Sequence, residues 1–412
     1  MHESSTCSTS SVLGSDGTPP GSRGRSWAVV RYVFAATLVR SADGGAVVAI
    51  VLLSHAAGQP GWVSGLLGAS ITAPHLLGPF IARRLDTAHD GRKVIAVSAL
   101  AHGLLLGAAA LALPVTWPII PAVLLVLSGL FGPMLTGGVS SRLPSIAGPS
   151  QRSQRRAQSW DVASYGISGT LGPAAVASVA ALSGPLPATL MLAGAAVIGA
   201  GAVMALPRQQ EHVVATDVPS PLRTLGLIVR SGPLRRTLGL TVVVAFSVAM
   251  LPIYAVSIAP HLGAPALAGT LVAGYGVGSL AGSALLMIWP LRGDADRLTV
   301  LLAAAVACAL LLVIPAQSLA TAIAVFTLAG IANSLFFAAT LAARSEYAPV
   351  LSRGQVFIWV GALKIAAGSA GTAVAGTLIT GSAWLPLTAA AGMCGLAAAV
   401  TALGRRGDQR SA

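Results

Sequence analysis

Apolar residues in this chain come in long, nearly unbroken blocks, with polar residues gathered between the blocks rather than alternating inside them. A helix needs about 20 such residues to cross a hydrocarbon layer ~30 Å thick at 1.5 Å per residue. Twelve blocks reach or approach that length: 28–54, 62–82, 94–114, 117–140, 159–182, 185–206, 237–260, 265–290, 298–315, 318–342, 355–380 and 383–403. In lipid every backbone N–H and C=O must find its partner within the segment, so the blocks predict helices; the alternation of barrel strands is not seen. Tight joins are expected at Pro114–Trp117, Ser183–Pro187 and Gly381–Leu385.

The polar breaks are strongly one-sided. Of 25 basic residues, 23 fall in the N-terminal segment, in the loops after spans two, four, six, eight and ten, or at the C-terminus. The loops after the odd-numbered spans contain none. Positive-inside bias then places both ends in the cytoplasm and supports an even number of spans, because a missed span would scramble the alternation. The net charge of +13 is thus a topology signal, and nucleic acid is not an expected partner.

Composition narrows the class further. Charged residues make up 9% of the chain, against about 25% in soluble domains, too few to cover a water-facing surface. Three scattered cysteines, Cys7, Cys308 and Cys394, make neither a disulfide framework nor a zinc site, and no cofactor is expected. The arginine bias beside so much alanine and glycine is the composition of a high-GC bacterial genome. Residues 1–27 read as a disordered polar tail lacking the apolar core of a signal peptide. The remainder divides into a six-helix bundle over 28–206, a basic linker over 207–236, a second bundle over 237–404 and a short tail over 405–412.

The two halves repeat each other. At an offset of 199, Trp160, Gly169 and Gly172 of span five fall on Trp359, Gly368 and Gly371 of span eleven, and Tyr165 falls on Lys364. Two parallel six-helix repeats superpose this pair of spans.

Arg40, Asp43 and Lys364 lie well inside the blocks, away from their ends. Counted from Arg31, Asp43 is roughly 18 Å deep, and Lys364, counted from Arg353, roughly 16 Å. A charge at the bilayer centre costs at least ~2.5–3.5 kcal/mol, so such residues face a cavity or a partner. Arg40 is one turn from Asp43 on the same face. Asp43 is therefore expected to take up and release a proton, with Arg40 setting its affinity; the alternative is a permanent Arg40–Asp43 ion pair. Lys364 is expected to bind an anionic group or to pair with Asp43, or else to snorkel toward the cytoplasm. Tyr165 lies beside it as a cavity candidate; Trp160, Trp359, Phe336, Phe337 and Tyr254 are cavity or packing aromatics.

His75 and His102 are expected in interhelical hydrogen bonds, and Asp161 as a charge near the start of span five. Residues Arg223 to Leu240 look like an amphipathic helix on the inner membrane surface. Gly172-Pro173 is expected to bend span five, because proline lacks the donor and crowds the preceding turn.

Twelve spans in a 6+6 arrangement with a basic central loop resemble the major facilitator superfamily of secondary transporters. That family carries G-x-x-x-D-R-x-G-R-[RK] after span two. Here Gly78 and Arg83 are kept, Ala82 stands where the Asp belongs, and Asp90-Gly91-Arg92-Lys93 follows a short insertion. Gly166, Gly169, Gly172 and Pro173 are similar to the G-x-x-x-G-P motif of drug exporters, and Arg40-x-x-Asp43-Gly44 to the start of many bacterial efflux members. The resemblance implies a latch between the halves built from Gly78, Arg83, Asp90, Arg92 and Lys93, and a gating helix carrying Gly169, Gly172 and Pro173. It implies a monomeric, multi-pass protein of the cytoplasmic membrane exporting a small apolar or amphiphilic compound against protons. So few buried charges would select poorly for strongly charged compounds. A nutrient importer of the same fold is the first alternative. A membrane enzyme or sensor is the second, although H-E-x-x-H, G-x-S-x-G and P-loop motifs are all missing.

Overall fold

The protein is described by a computed structural model over residues 22–208, 217–264, 267–378 and 384–411, with side chains considered for 27–406 of these. Residues 1–21 of the expected tail and most of the Gly381–Leu385 join lie outside the described residues. Twelve helical segments are long and apolar enough to cross a membrane. They are Trp27–Ala56, Gly61–Thr87, Gly91–Ala112, Ile119–Ala147, Gln151–Ser183, Pro185–Met204, Gly232–Leu262, Leu267–Ile288, Ala295–Val313, Leu319–Tyr347, Val350–Leu378 and Leu385–Arg406, here spans one to twelve. Each matches a predicted block. No β-strand occurs among the described residues.

The differences lie at the arginine-bearing ends. Span five begins at Gln151 rather than 159, span seven at Gly232 rather than 237, and the helix of span ten continues to Tyr347 rather than 342. The last helix runs from Leu385 to Ser411, through the tail expected over 405–412. Loss of apolar character marks where a helix leaves the hydrocarbon, whereas its end is set by backbone bonds and caps. Ser150 caps span five by accepting from the Ser153 N–H, Asp90 caps span three, and Ser318 with Thr321 forms a reciprocal capping box on span ten.

The connection between the halves also departs from expectation. Its helix covers Pro221–Arg230 and stops before Gly232-Pro233, which opens span seven. Thr224 and Ile228 are buried; Thr224 donates to the Gln355 side chain, and the Trp359 indole N–H reaches the Pro221 carbonyl at 3.0 Å. This face packs on span eleven, so the single amphipathic helix expected over 223–240 is replaced by a docked helix and the start of a span.

Three spans have broken geometry. Span two passes through a 3₁₀ turn, Ala73–Leu77, around Pro74. Span four contains a π-helical turn, Met134–Gly138. Span seven divides into Gly232–Val248 and Leu251–Ile258. Span five is one helix from Gln151 to Ser183 with Pro173 inside it.

Within each half the helices pack through small residues, since lipid offers no apolar driving force for association. Span one lies on spans five and six, span three on span six, span eight on span ten, and span seven on span eleven. A Cβ on Gly278 would sit 1.9 Å from the Thr327 carbonyl oxygen and one on Gly330 2.1 Å from that of Tyr275, so spans eight and ten cross backbone to backbone. The repeat is visible in the same terms. Gly172 faces Ser41 of span one, and its offset partner Gly371 faces the Phe246 carbonyl of span seven.

Contact between the halves is concentrated toward the arginine-bearing face. The segment of span two nearer that face, Gly78–Thr87, packs on span eleven, while the farther segment, Gly61–Thr72, packs on spans one and four of its own half. Beyond Gly169 and Gly368 most positions of spans five and eleven are exposed. Contact between the halves is therefore denser at the basic face than at the opposite one.

Candidate functional site

Arg40 and Asp43 do not pair. The Arg40 guanidinium lies 2.7 Å from Asp161 Oδ1, both buried, while Asp43 Oδ1 lies 3.3 Å from His75 Nε2. Long side chains on a helix lean toward its N-terminus, so Arg40 reaches toward the basic face, away from an acid one turn further along. Both forms of the predicted Arg40–Asp43 interaction are corrected by this geometry. Asp161 was expected near the start of its helix; with the start at Gln151 it is about three turns inside. Its buried carboxylate is fully occupied. Oδ1 also accepts from the Tyr32 hydroxyl at 2.6 Å, and Oδ2 accepts from Ser140 at 2.8 Å. Arg40 further donates to Ser140, Ser164 and the Thr136 carbonyl in the π-turn, and stacks 3.7 Å above the Tyr165 ring. Spans one, four and five are thus tied together by one buried ion pair.

The Asp43–His75 pair sits on Gly132 of span four. A Cβ there would fall 2.2 Å from His75 Nε2 and 2.6 Å from Asp43 Oδ1, so no other residue leaves room for the pair. The 3₁₀ turn of span two carries His75. His75 Nδ1 is buried without a hydrogen-bond partner, and the Asp43 side chain keeps 12% of its surface exposed. His102, near this pair, is bonded to Ser128 on span four at 3.0 Å as the interhelical reading expects.

Lys364 faces aromatic rings. Its ammonium is 3.8 Å from the centroid of Phe337 and 6.0 Å from that of Tyr165, its own counterpart in the repeat. Tyr165 and Phe337 meet edge to face at 4.9 Å. Arg344, assigned by sequence to the loop after span ten, is instead buried in that span with its guanidinium carbon 5.8 Å from the Phe337 centroid and 5.6 Å from that of Phe357.

The latch residues divide between two jobs. Asp90 caps span three and is gripped by Arg92, whose guanidinium holds the Asp90 carboxyl down at about 2. Arg92 also donates to the Leu206 carbonyl at 2.7 Å and the Met204 carbonyl at 3.2 Å, at the end of span six. These bonds stay within the first half. Lys93 is exposed, and Arg83 reaches the Val218 carbonyl of the connection. The contact across the halves comes from Asp86, which sequence reasoning overlooked. Its two oxygens each accept a backbone N–H at the start of span eleven, from Gly354 and Gln355, at 2.9 Å. Gly78 adds close approach: a Cβ would fall 2.4 Å from Pro133 and 3.3 Å from Ile358 of span eleven. A second crossing tie joins Arg155 of span five to Glu346 at 2.9 Å and to the Gly293 carbonyl at 3.0 Å. At Gly172 the wall is ordinary contact with span one, and at Gly169 a Cβ would meet open space. Among the described residues no group of His, Cys, Asp and Glu is arranged to hold a metal ion.

No family model matches the sequence, and neither does any curated protein. The fold does match. The human organic anion transporter MFSD10 superposes with a TM-score of 0.73 at 15% identity, covering 93% of this chain and 100% of that one. A bacterial homologue of the iron transporter ferroportin in its outward-facing state gives 0.71 at 14%, covering 91% and 98%. The proton:xylose symporter XylE gives 0.68 at 12%, covering 92% and 95%. The chain is a multi-pass membrane protein with the fold of the major facilitator superfamily of transporters.

Proposed function

We propose that this protein is a secondary transporter of the cytoplasmic membrane that exports a small amphiphilic compound in exchange for protons, by alternating access between its two halves. The observation that carries the reading is the Asp43–His75 pair, a titratable couple deep in the first half, seated on a glycine and partly open at the acid. In this reading a proton entering from the side away from the basic face adds to the Asp43 carboxylate, weakens its hold on His75 and frees span two to move. Asp86 and Arg155 keep the basic, cytoplasmic face closed until then. Rocking of one half against the other around a central site is how such repeats alternate access. The fold relatives are described as carriers of an organic anion, a sugar and iron, so the fold leaves the cargo open.

The test is resistance of a pump-deficient bacterial host to a panel of toxic amphiphiles. Wild-type protein is expected to raise resistance to some of them, and Asp43→Asn to lose that gain at equal membrane abundance. No gain from the wild type overturns export; an equal gain from the Asn variant overturns coupling through Asp43.

A further inference from the structure

Where the halves join, three cationic side chains share one buried carboxylate. Asp161 is committed to Arg40 at 2.7 Å. Arg344 is 2% exposed; its hydrogen bond is to the Thr340 hydroxyl at 3.0 Å, and its Nε has no acceptor. Lys364 is half-buried and makes no hydrogen bond or ion pair with the described residues; ring faces are its neighbours. Phe337 neighbours both, 3.8 Å from the Lys364 ammonium and 5.8 Å from the Arg344 guanidinium carbon. Two basic side chains therefore stand in a low-dielectric site with no ion pair of their own among the described residues. Ring faces offset part of that cost, and an anion would offset far more.

Resting on the transporter reading, we infer that the cargo is an organic anion, its carboxylate, sulfonate or phosphate held between Lys364 and Arg344 and its apolar body laid against Tyr165 and Phe337. The position suits a carrier. Tyr165 and Lys364 are repeat-related residues of spans five and eleven, so the site straddles the axis about which the halves would rock. Its entrance would lie on the side away from the basic face, where Ser369, Ala370 and Thr372, just beyond on span eleven, are exposed. The expectation that few buried charges disfavour charged cargo assigned Arg344 to a loop. The helix runs on to Tyr347, and a long side chain near its C-terminal end leans back into the membrane.

The experiment is ligand-dependent thermal stabilisation of purified protein in detergent. Benzoate, benzenesulfonate and phenyl phosphate are compared with benzamide, benzenesulfonamide and benzylammonium. At least one anion is expected to stabilise the wild type saturably, at a concentration about tenfold or more below its neutral counterpart, as a charge-assisted contact requires. Lys364→Gln is expected to lose that preference and Lys364→Arg to keep it. Arg344→Gln is expected to behave like Lys364→Gln where it folds, and Lys364→Gln decides the matter where it does not. Stabilisation equal for anions and neutral compounds, stronger for the ammonium, or unchanged in Lys364→Gln overturns the proposal. Lost anion preference with Asp43-dependent resistance intact sinks the cargo assignment alone; anion binding without resistance sinks the export reading alone.

Discussion

Arg40 of span one and Asp161 of span five form a 2.7 Å ion pair with both side chains 1% exposed. Each remaining valence of the carboxylate is met by Tyr32 or Ser140. Removing one member of such a pair strands a charge. Arg40→Ala is expected to cost about 3–5 kcal/mol of stability, whereas Arg40→Met combined with Asp161→Leu should cost less than the single change. Thermal unfolding of Arg40→Ala, of the double variant and of its two single parents in one detergent checks this, and simple additivity would show that the two groups do not act as a pair.

The glycine under Asp43 and His75 gives a second prediction. A methyl at position 132 would overlap both side chains, at 2.2 and 2.6 Å. Gly132→Ala is expected to abolish the resistance gain as fully as Asp43→Asn while its membrane abundance stays normal. Retained resistance would mean that the pair is not needed in this geometry.

Closure at the basic face is expected to depend on Asp86. Its carboxylate meets the positive end of the span-eleven helix through two N–H groups, an arrangement worth about 1–2 kcal/mol. Asp86→Ala should shift the population toward opening at that face by roughly tenfold. Gly354→Ala should do the same, because its Cβ would lie 2.5 Å from Asp86 Oδ1. Labelling rates of a cysteine placed at Gln158, measured in inverted and right-side-out vesicles, report the shift; unchanged rates in both variants would remove Asp86 from the gate.

Asp90 should matter for stability alone. Asp90→Ala is expected to cost about 1 kcal/mol as a lost N-cap, and Asp90→Asn less, since asparagine also caps. The carboxyl is held below its ordinary value, so its contribution is complete above about pH 4. It declines as the pH falls toward about 2. The melting-point gap between wild type and Asp90→Asn should therefore be present at pH 7 and shrink at pH 3.

Much of the architecture was legible because lipid enforces it. Apolar length and the one-sided arginines define twelve helices and their alternation, and Trp160, Gly172 and their offset partners expose the repeat. What escaped is what depends on where helices begin and which way side chains lean. Ser150 signalled the cap of span five, and with that start Asp161 is plainly interior. The lean of long side chains toward a helix N-terminus separates Arg40 from Asp43 and carries Arg344 inward. Asp86, one turn past the expected Ala82, could not be matched to span eleven from a single chain, because which helices become neighbours is a property of the whole fold.

Arg405, near the end of the last helix, reaches Asp294 at 2.8 Å and Asp296 at 3.1 Å, and Asp296 already holds Arg236 at 2.7 Å. A chain emerging from the ribosome makes Arg236 and both acids long before it makes Arg405. During synthesis Asp294 must therefore wait for its guanidinium, and the second bundle acquires this clasp only once span twelve has been made.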